Sequence, residues 1–251
     1  MQTDVHFRKG SSHNIYEDYG LNTDNLIIIS DGCSSSEHSD VASRVISHVC
    51  KNMLQDDVLN SYDLLAAKIL VEIKYIAKSM NLNDLLATLI VSFIYNEDVY
   101  TYVYGDGYVV IKNRNIDCNI YKIDFLNNTP NYLWYLSNRD YYNVDDCDVQ
   151  INGKLFPRNH PITFVNPIKD LEYIAIFTDG VSSFVPTKPK EDSIFGNKIT
   201  DLISISELTN FKTTKGRFVV RRLNRFLQQT KDNGFIHEDD ITCAVMHFGD
   251  L

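Results

Sequence analysis

Apolar residues follow two rhythms along this chain. Short runs rich in β-branched residues cover 26–30, 85–95, 99–104, 108–113, 172–178 and 241–248 and predict strands, with a further strand near 116–125 and weaker ones at 2–8 and 15–21. Helical spacing marks three other stretches. Val41, Val45, Val49 and Met53 recur every four residues and predict a helix over about 37–54, with Ser34 and Glu37 placed as a capping box. Residues 61–80 predict a second helix, with Ser61 as N-cap and Leu65, Ile69, Ile73, Ile76 and Met80 on one face. Residues 215–231 predict a third, turning Val219, Leu223, Phe226 and Leu227 inward and ending at Gly234. A short helical piece is expected near 181–185. Residues 127–170 predict short strands and loops, placed as a flap beside a site.

Runs of strands joined by tight turns, with helices grouped apart from them, predict an α+β layered architecture. A doubly wound sheet needs regular strand–helix alternation, which residues 85–125 lack. No repeat, low-complexity tract or linker divides the chain, so residues 1–251 are expected to form a single domain.

Composition narrows the function classes. Of the 251 residues 44% are hydrophobic and 23% charged, as expected of a globular chain able to bury a substantial core. The net charge of −9 argues against non-specific nucleic-acid binding. The five cysteines, Cys33, Cys50, Cys118, Cys147 and Cys243, form no C-x-x-C pair and suggest a reducing compartment. The N-terminal residues have no signal-peptide core, and the longest apolar stretch, 85–95, is too short to span a bilayer. The expectation is a cytoplasmic protein with no membrane or nucleic-acid partner.

The chemistry lies in what ends the strands. The run 26–29 closes on Ser30-Asp31-Gly32, and 173–178 closes on Asp179-Gly180. Asp106 stands between two strand-like runs in Gly105-Asp106-Gly107. Asp239 and Asp240 precede the last strand, and Glu17 and Asp18 lie close before the strand at 26–30. One Asp-Gly is ordinary turn chemistry. Five acidic sites at strand ends are different, because gathered together they repel and raise one another's pKa values. Hard oxygen ligands in such number suit Mg²⁺ or Mn²⁺.

The order of these motifs resembles the metal-dependent protein phosphatases of the protein phosphatase 2C type over residues 8–248. Glu17-Asp18 is similar to the family's first acidic motif, Asp31-Gly32 to its Asp-Gly, and Ala87-Thr88-Leu89 to its Thr-Thr/Ala strand. Gly105-Asp106-Gly107 is similar to Gly-Asp-Ser, Thr178-Asp179-Gly180 to Ser/Thr-Asp-Gly, and Asp239-Asp240-Ile241-Thr242 to the terminal Asp-Asn-Ile/Met-Thr. Gly10-Ser11-Ser12-His13 resembles the Gly-x-x-His of a bacterial branch. The resemblance implies a four-layer α-β-β-α sandwich of two antiparallel sheets flanked by helices. It implies hydrolysis of phosphoserine and phosphothreonine with two metals, and a third held more weakly. Asp31 would bridge the two; Asp179 and Asp239 would hold the first; Glu17 and the carbonyl of Gly32 would hold the second, with Asp18 binding metal directly or standing just behind the ligands. Asp106 would join Asp239 at the third. Two cations roughly 3.5–4 Å apart can activate a shared water for in-line attack on phosphorus, so no protein nucleophile is needed. The implied partner is a phosphorylated protein with a cognate Ser/Thr kinase, and the chain is expected to act as a monomer.

Two positions depart from the family. Where many relatives place an arginine that grips the substrate phosphate, this chain has His13, with Arg8 and Lys9 near in sequence. Where some have a histidine just after Asp-Gly, it has Cys33. His13 is the candidate phosphate contact, beside Asp31 and Asp179 as catalytic residues. The alternative is a phosphatase-fold module of weak or no activity that acts as a regulatory, partner-binding switch. An aspartyl-nucleophile phosphatase is rejected, because Cys33 and Val181 occupy the positions where its second aspartate would stand.

Overall fold

The computed structural model describes residues 1–56, 61–80, 85–114, 118–126, 130–137, 148–187 and 193–249. The N-terminal part builds β1 (Gln2–Arg8), β2 (Tyr19–Thr23), β3 (Leu26–Ser30), α1 (Ser39–Asp56) and α2 (Tyr62–Ile76). A meander follows: β4 (Leu89–Tyr95), β5 (Asp98–Tyr104), β6 (Gly107–Asn113) and β7 (Cys118–Phe125). Next come the short strands β8 (Val149–Ile151), β9 (Lys154–Phe156) and β10 (Ile162–Pro167), then β11 (Leu171–Phe177) and β12 (Phe184–Pro186). The chain closes with α3 (Asp201–Leu208), α4 (Phe218–Asp232), β13 (Phe235–His237) and β14 (Ile241–His247).

The strands form two large antiparallel sheets, one ordered β1-β14-β11-β6-β7-β8-β9 and the other β10-β5-β4-β3-β2. Period-2 alternation explains how they stack. In β3, Ile27 and Ile29 join Val109, Ile174 and Ile176 in a core between the sheets. Leu26 and Ile28 face the other way, onto Ile46, Val49, Leu65 and Ile69 of α1 and α2. On the far side, Ala175, Phe177 and Val245 pack against Leu223 and Phe226 of α4. Helices, sheet, sheet and helices therefore make the four-layer α-β-β-α sandwich. No helix among the described residues is long and apolar enough to cross a membrane.

Several boundaries differ from the pattern in the sequence. The helix expected at 61–80 has Ser61 as its cap, accepting from the Leu64 amide, but stops at Ile76, which is exposed rather than inward. α1 begins at Ser39, so Ser34 and Glu37 form no capping box; Ser34 donates instead to Glu17. The strand expected over 15–21 forms at Tyr19–Thr23, because residues before it are drawn into a loop held by Asp240. The helical piece near 181–185 is a single 3-10 turn at Asp179–Ser182, followed by a strand. Short strands and loops do fill the described parts of 127–170, while 127–129 and 138–147 lie outside the described residues. Gly234 follows α4 in the left-handed region, at φ 84°, as its place in the sequence implied.

The N-terminus of α4 shows how the layers are tied. Arg217 supplies no side-chain cap there. The buried Asp4 of β1 does so from across the interface, its Oδ2 accepting from the amides of Val219 (2.7 Å) and Val220 (3.4 Å). A carboxylate at a helix N-terminus satisfies orphan donors and complements the helix dipole. Asp4→Ala should therefore lower stability to urea by about 1–3 kcal/mol. An unchanged midpoint would show that α4 does not depend on this tie.

Candidate active site

Register places the acidic residues. Ile29 pairs with Ile90, Leu89 with Tyr104, Tyr108 with Phe177, and Phe177 with Cys243. The C-terminal ends of β3 and β11, the β5–β6 turn and the start of β14 consequently open at one end of the sandwich. Asp31, Gly32, Asp106, Asp179 and Asp239 line a single cavity of about 180 Å³ there, together with Cys33, Ser34, Thr88, Pro130 and Tyr132. A second cavity, of about 210 Å³, has a more apolar lining that includes Val103, Gly105, Phe125 and Ile162. It holds none of the clustered carboxylates.

Local backbone chemistry fixes each group. Asp31 sits just past β3, its amide donating to Thr88 Oγ1 (3.0 Å) while its carbonyl accepts from the Thr88 amide (2.8 Å). Gly32 lies so close to α1 that a Cβ there would stand 2.2 Å from the Ser39 carbonyl oxygen. Asp106 is carried on a turn whose flanking glycines have φ of 104° and 130°, conformations that other residues adopt only under strain. Asp239 is held by its amide donating to Ser183 Oγ (3.2 Å).

Behind the cavity stands a buried polar frame. Asp240, 1% exposed, accepts from the amides of Gly10 (2.7 Å), Glu17 (2.7 Å) and Asp18 (3.2 Å), and so staples the loop after β1 to the start of β14. Asp18 is equally buried, and its Oδ2 accepts from the hydroxyls of Thr178 (2.8 Å) and Thr242 (2.7 Å). Glu17 accepts from Ser34 (2.7 Å) and Ser39 (2.9 Å). The imidazole of His13 stands among three carboxylates: Nδ1 is 3.5 Å from Glu17 Oε2 and 3.1 Å from Asp240 Oδ1, and Nε2 is 3.4 Å from Asp239 Oδ1. Neither neighbouring cation reaches the cavity. Arg8 donates to Asn224 on α4 (2.9 and 2.7 Å), and Lys9 donates to the carbonyl of His13.

The cluster is electrostatically tense. Asp31 sits deep in the protein while keeping part of its surface open to the cavity. Burial pushes its carboxyl well above the usual range, and Asp18, Asp179, Asp239 and Asp106 push it further. Burial and Asp179 raise Asp106 to about 8, and burial and Asp239 raise Asp179 to about 6. Asp239 is raised by burial, against the opposing pull of the Asp240 amide and His13. Asp18 is raised by burial despite its two threonine donors.

This donor set fits divalent metal. Oδ1 of Asp18 and Oδ1 of Asp179 are buried without a hydrogen-bond partner, an arrangement that is costly unless a cation or proton supplies one. The donors are oxygens on five separate elements, as hard cations prefer. Among the described residues no three ligand-type side chains already converge to the spacing of a closed metal cage.

Sequence position revealed every carboxylate in this cavity. It did not reveal Tyr132 or Pro130, which arrive from the least periodic stretch and touch the site only through the tertiary fold.

Comparison with known proteins agrees with this picture. Residues 16–228 match the family model for protein phosphatase 2C, and the chain belongs to that family. It is similar in structure to the serine/threonine phosphatase Stp1 from Staphylococcus aureus, at 15% identity over 99% of this chain and 96% of that chain, with a TM-score of 0.60. It is also similar to the Mycobacterium tuberculosis serine/threonine phosphatase PstP/Ppp, at 15% identity over 98% of both chains and a TM-score of 0.57. The PstP catalytic domain has been solved with two manganese ions, and matches at 14% identity over 97% of this chain and 96% of that one, with a TM-score of 0.55. Likeness at such identities establishes the fold. A search of curated proteins found no match.

The raised carboxyls set a pH dependence in the metal-free protein. Folded pKa values near 6 for Asp179 and 8 for Asp106 lie above the ordinary 3.8, so the folded state holds protons that the unfolded chain releases. Their contribution to stability is full below about pH 4 and is lost as pH rises through about 6 and then 8. In EDTA, Tm should fall from pH 5 to pH 9, and Asp106→Asn should flatten the upper part of that fall. Added Mn²⁺ should raise Tm most at the high-pH end. A metal-free Tm that holds level, or an Asp106→Asn curve parallel to the wild type, would contradict the assignment.

Proposed function

We propose that the chain is a metal-dependent serine/threonine protein phosphatase acting on phosphorylated proteins. The observation that carries this reading is the meeting of Asp31, Asp106, Asp179 and Asp239 in one cavity, with orphaned carboxylate oxygens on Asp179 and on Asp18 behind it. In this reading Asp31 would contribute to both metal positions. Asp179 and Asp239 complete the first; Glu17 and the Gly32 carbonyl complete the second. Asp106 with Asp239 offers a third, weaker position. Mg²⁺ or Mn²⁺ bound there supplies charge neutralisation at the phosphoryl group and lowers the pKa of the attacking water.

The chain's own residues do the positioning. Strand ends hold the carboxylates, and rigid elements give a site the precision that loops lack. Asp18 works from behind: anchored by Thr178 and Thr242, it ties the end of β11 to the start of β14. Asp240 sets the height of Glu17 by holding its amide. His13 pulls the Asp239 carboxyl down against the upward push of burial. No serine or cysteine nucleophile is required, and Cys33 is not assigned one. The whole chain is taken to work as one domain and as a monomer, on substrates phosphorylated by a Ser/Thr kinase.

The departures at His13 and Cys33 keep the partner-binding switch as the competing reading, and one assay separates the two. The purified protein is tested on a phosphothreonine peptide with Mn²⁺, with EDTA, and as Asp179→Asn. Hydrolysis should need the metal and fall by about two orders of magnitude or more in the variant. No hydrolysis by a protein that binds Mn²⁺ in calorimetry would favour the switch. Failure to bind metal would overturn both.

A further inference from the structure

A phosphatase site lined by carboxylates needs donors for the phosphoryl oxygens, and this one has lost its obvious candidates. Among the described residues no lysine or arginine lines the cavity. Arg8 is held by Asn224, Lys9 by the His13 carbonyl, and Arg158 by Asp148. His13 faces Glu17, Asp239 and Asp240. Ser34 gives its proton to Glu17. A strong hydroxyl donor remains in the lining: the phenol of Tyr132, which shares the cavity wall with Cys33, whose sulfur pairs with Ser35 Oγ at 3.1 Å.

Tyr132 is delivered by an anchored turn. Its amide donates to the Pro130 carbonyl (2.8 Å), and its carbonyl accepts from the Tyr135 amide (2.9 Å). The next residue, Leu133, is 0% exposed and belongs to the core under α1 and α2. Trp134 and Leu136 pack against the same core, and Lys74 of α2 lies 5.2 Å from the Trp134 ring centroid. The Tyr132 ring packs on the Tyr135 ring of the same turn, with centroids 5.6 Å apart. The phenol therefore reaches the cavity from a fixed base.

We propose that Tyr132 is a substrate contact of this chain: its hydroxyl donates a hydrogen bond to a non-reacting phosphoryl oxygen of the phosphoserine or phosphothreonine side chain. This rests on the phosphatase reading. It fills the place that the family resemblance gives to an arginine and that His13 does not fill here. A phosphate oxygen is a strong, charged acceptor, so a hydrogen bond from the phenol to it is favourable. The phenol also stays protonated. Burial pushes it far above its ordinary value, and Cys33, Asp106 and Asp31 push in the same direction. A neutral donor can stand beside carboxylates in either state of the site, with no proton transferred.

The test compares wild type with Tyr132→Phe, which keeps the ring and its packing. With Mn²⁺ and the phosphothreonine peptide, KM and the competitive inhibition constant of inorganic phosphate should both rise roughly tenfold to hundredfold, as for a lost hydrogen bond to a charged group. Tm and the calorimetric Mn²⁺ affinity should stay at wild-type values, which a merely structural tyrosine could not combine with a phosphate-specific loss. Unchanged KM and phosphate inhibition would overturn the proposal and leave the phosphatase reading standing. Should the wild type hydrolyse nothing, binding of inorganic phosphate to the Mn²⁺-loaded proteins decides: weaker binding by the variant supports the contact, and equal binding ends it.

Discussion

Like charges crowded at one end of a β-sandwich are the constraint on which the rest of this structure depends. Asp31 feels Asp18, Asp179, Asp239 and Asp106 at once, in surroundings that exclude much of the water that would screen them. Such a cluster persists only if the backbone overrides the repulsion. Here the backbone does so through strand register: the two sheets share a core of Ile27, Ile29, Val109, Ile174 and Ile176, and the carboxylates hang where that core ends. The folding energy of the apolar layers thus holds a site that would otherwise spread apart. Protons relieve the tension in the metal-free protein, and divalent cations relieve it in a working phosphatase.

A second tier of buried groups converts that scaffold into a shaped site. Asp240 accepts three backbone amides and Asp18 two threonine hydroxyls, so both act as hubs between β14 and the loop after β1. The family motif has asparagine where Asp240 stands, and arginine where His13 stands. The two differences face each other, 3.1 Å apart between His13 Nδ1 and Asp240 Oδ1. The imidazole of His13 thus stands beside a carboxylate where the family motif would place an amide. The turn at Pro130–Tyr135 brings a phenol to the same cavity as the carboxylates.

Much of the fold was legible because its strongest signals are local. The run 26–30 reads as a strand buried on both faces, and every residue of it is buried. The turns at Gly105–Gly107 and the Asp-Gly pairs at 31–32 and 179–180 mark strand ends by their own chemistry, and those ends converge. Boundaries failed where a distant partner decided them. Ser34 matched a capping box, yet its hydroxyl goes to Glu17, and α1 waits until Ser39. Arg8 lay close enough in sequence to serve the site, yet Asn224 on α4 holds it away. β12 and β13, three residues each, and the eight-residue α3 carry too little periodicity to be read alone.

The sequence by itself determined which residues are acidic strand ends, which runs are core, and hence the family and its layered class. These depend on composition and period over short distances, where each residue's neighbours are known. Only the tertiary structure decided that His13 turns to carboxylates, that Asp240 is a staple and that Tyr132 enters the cavity. Those facts depend on groups that meet from distant parts of the sequence, as when the Gly10 amide donates to Asp240 at a separation of 230. No local pattern encodes such a meeting; the packing of the two sheets does.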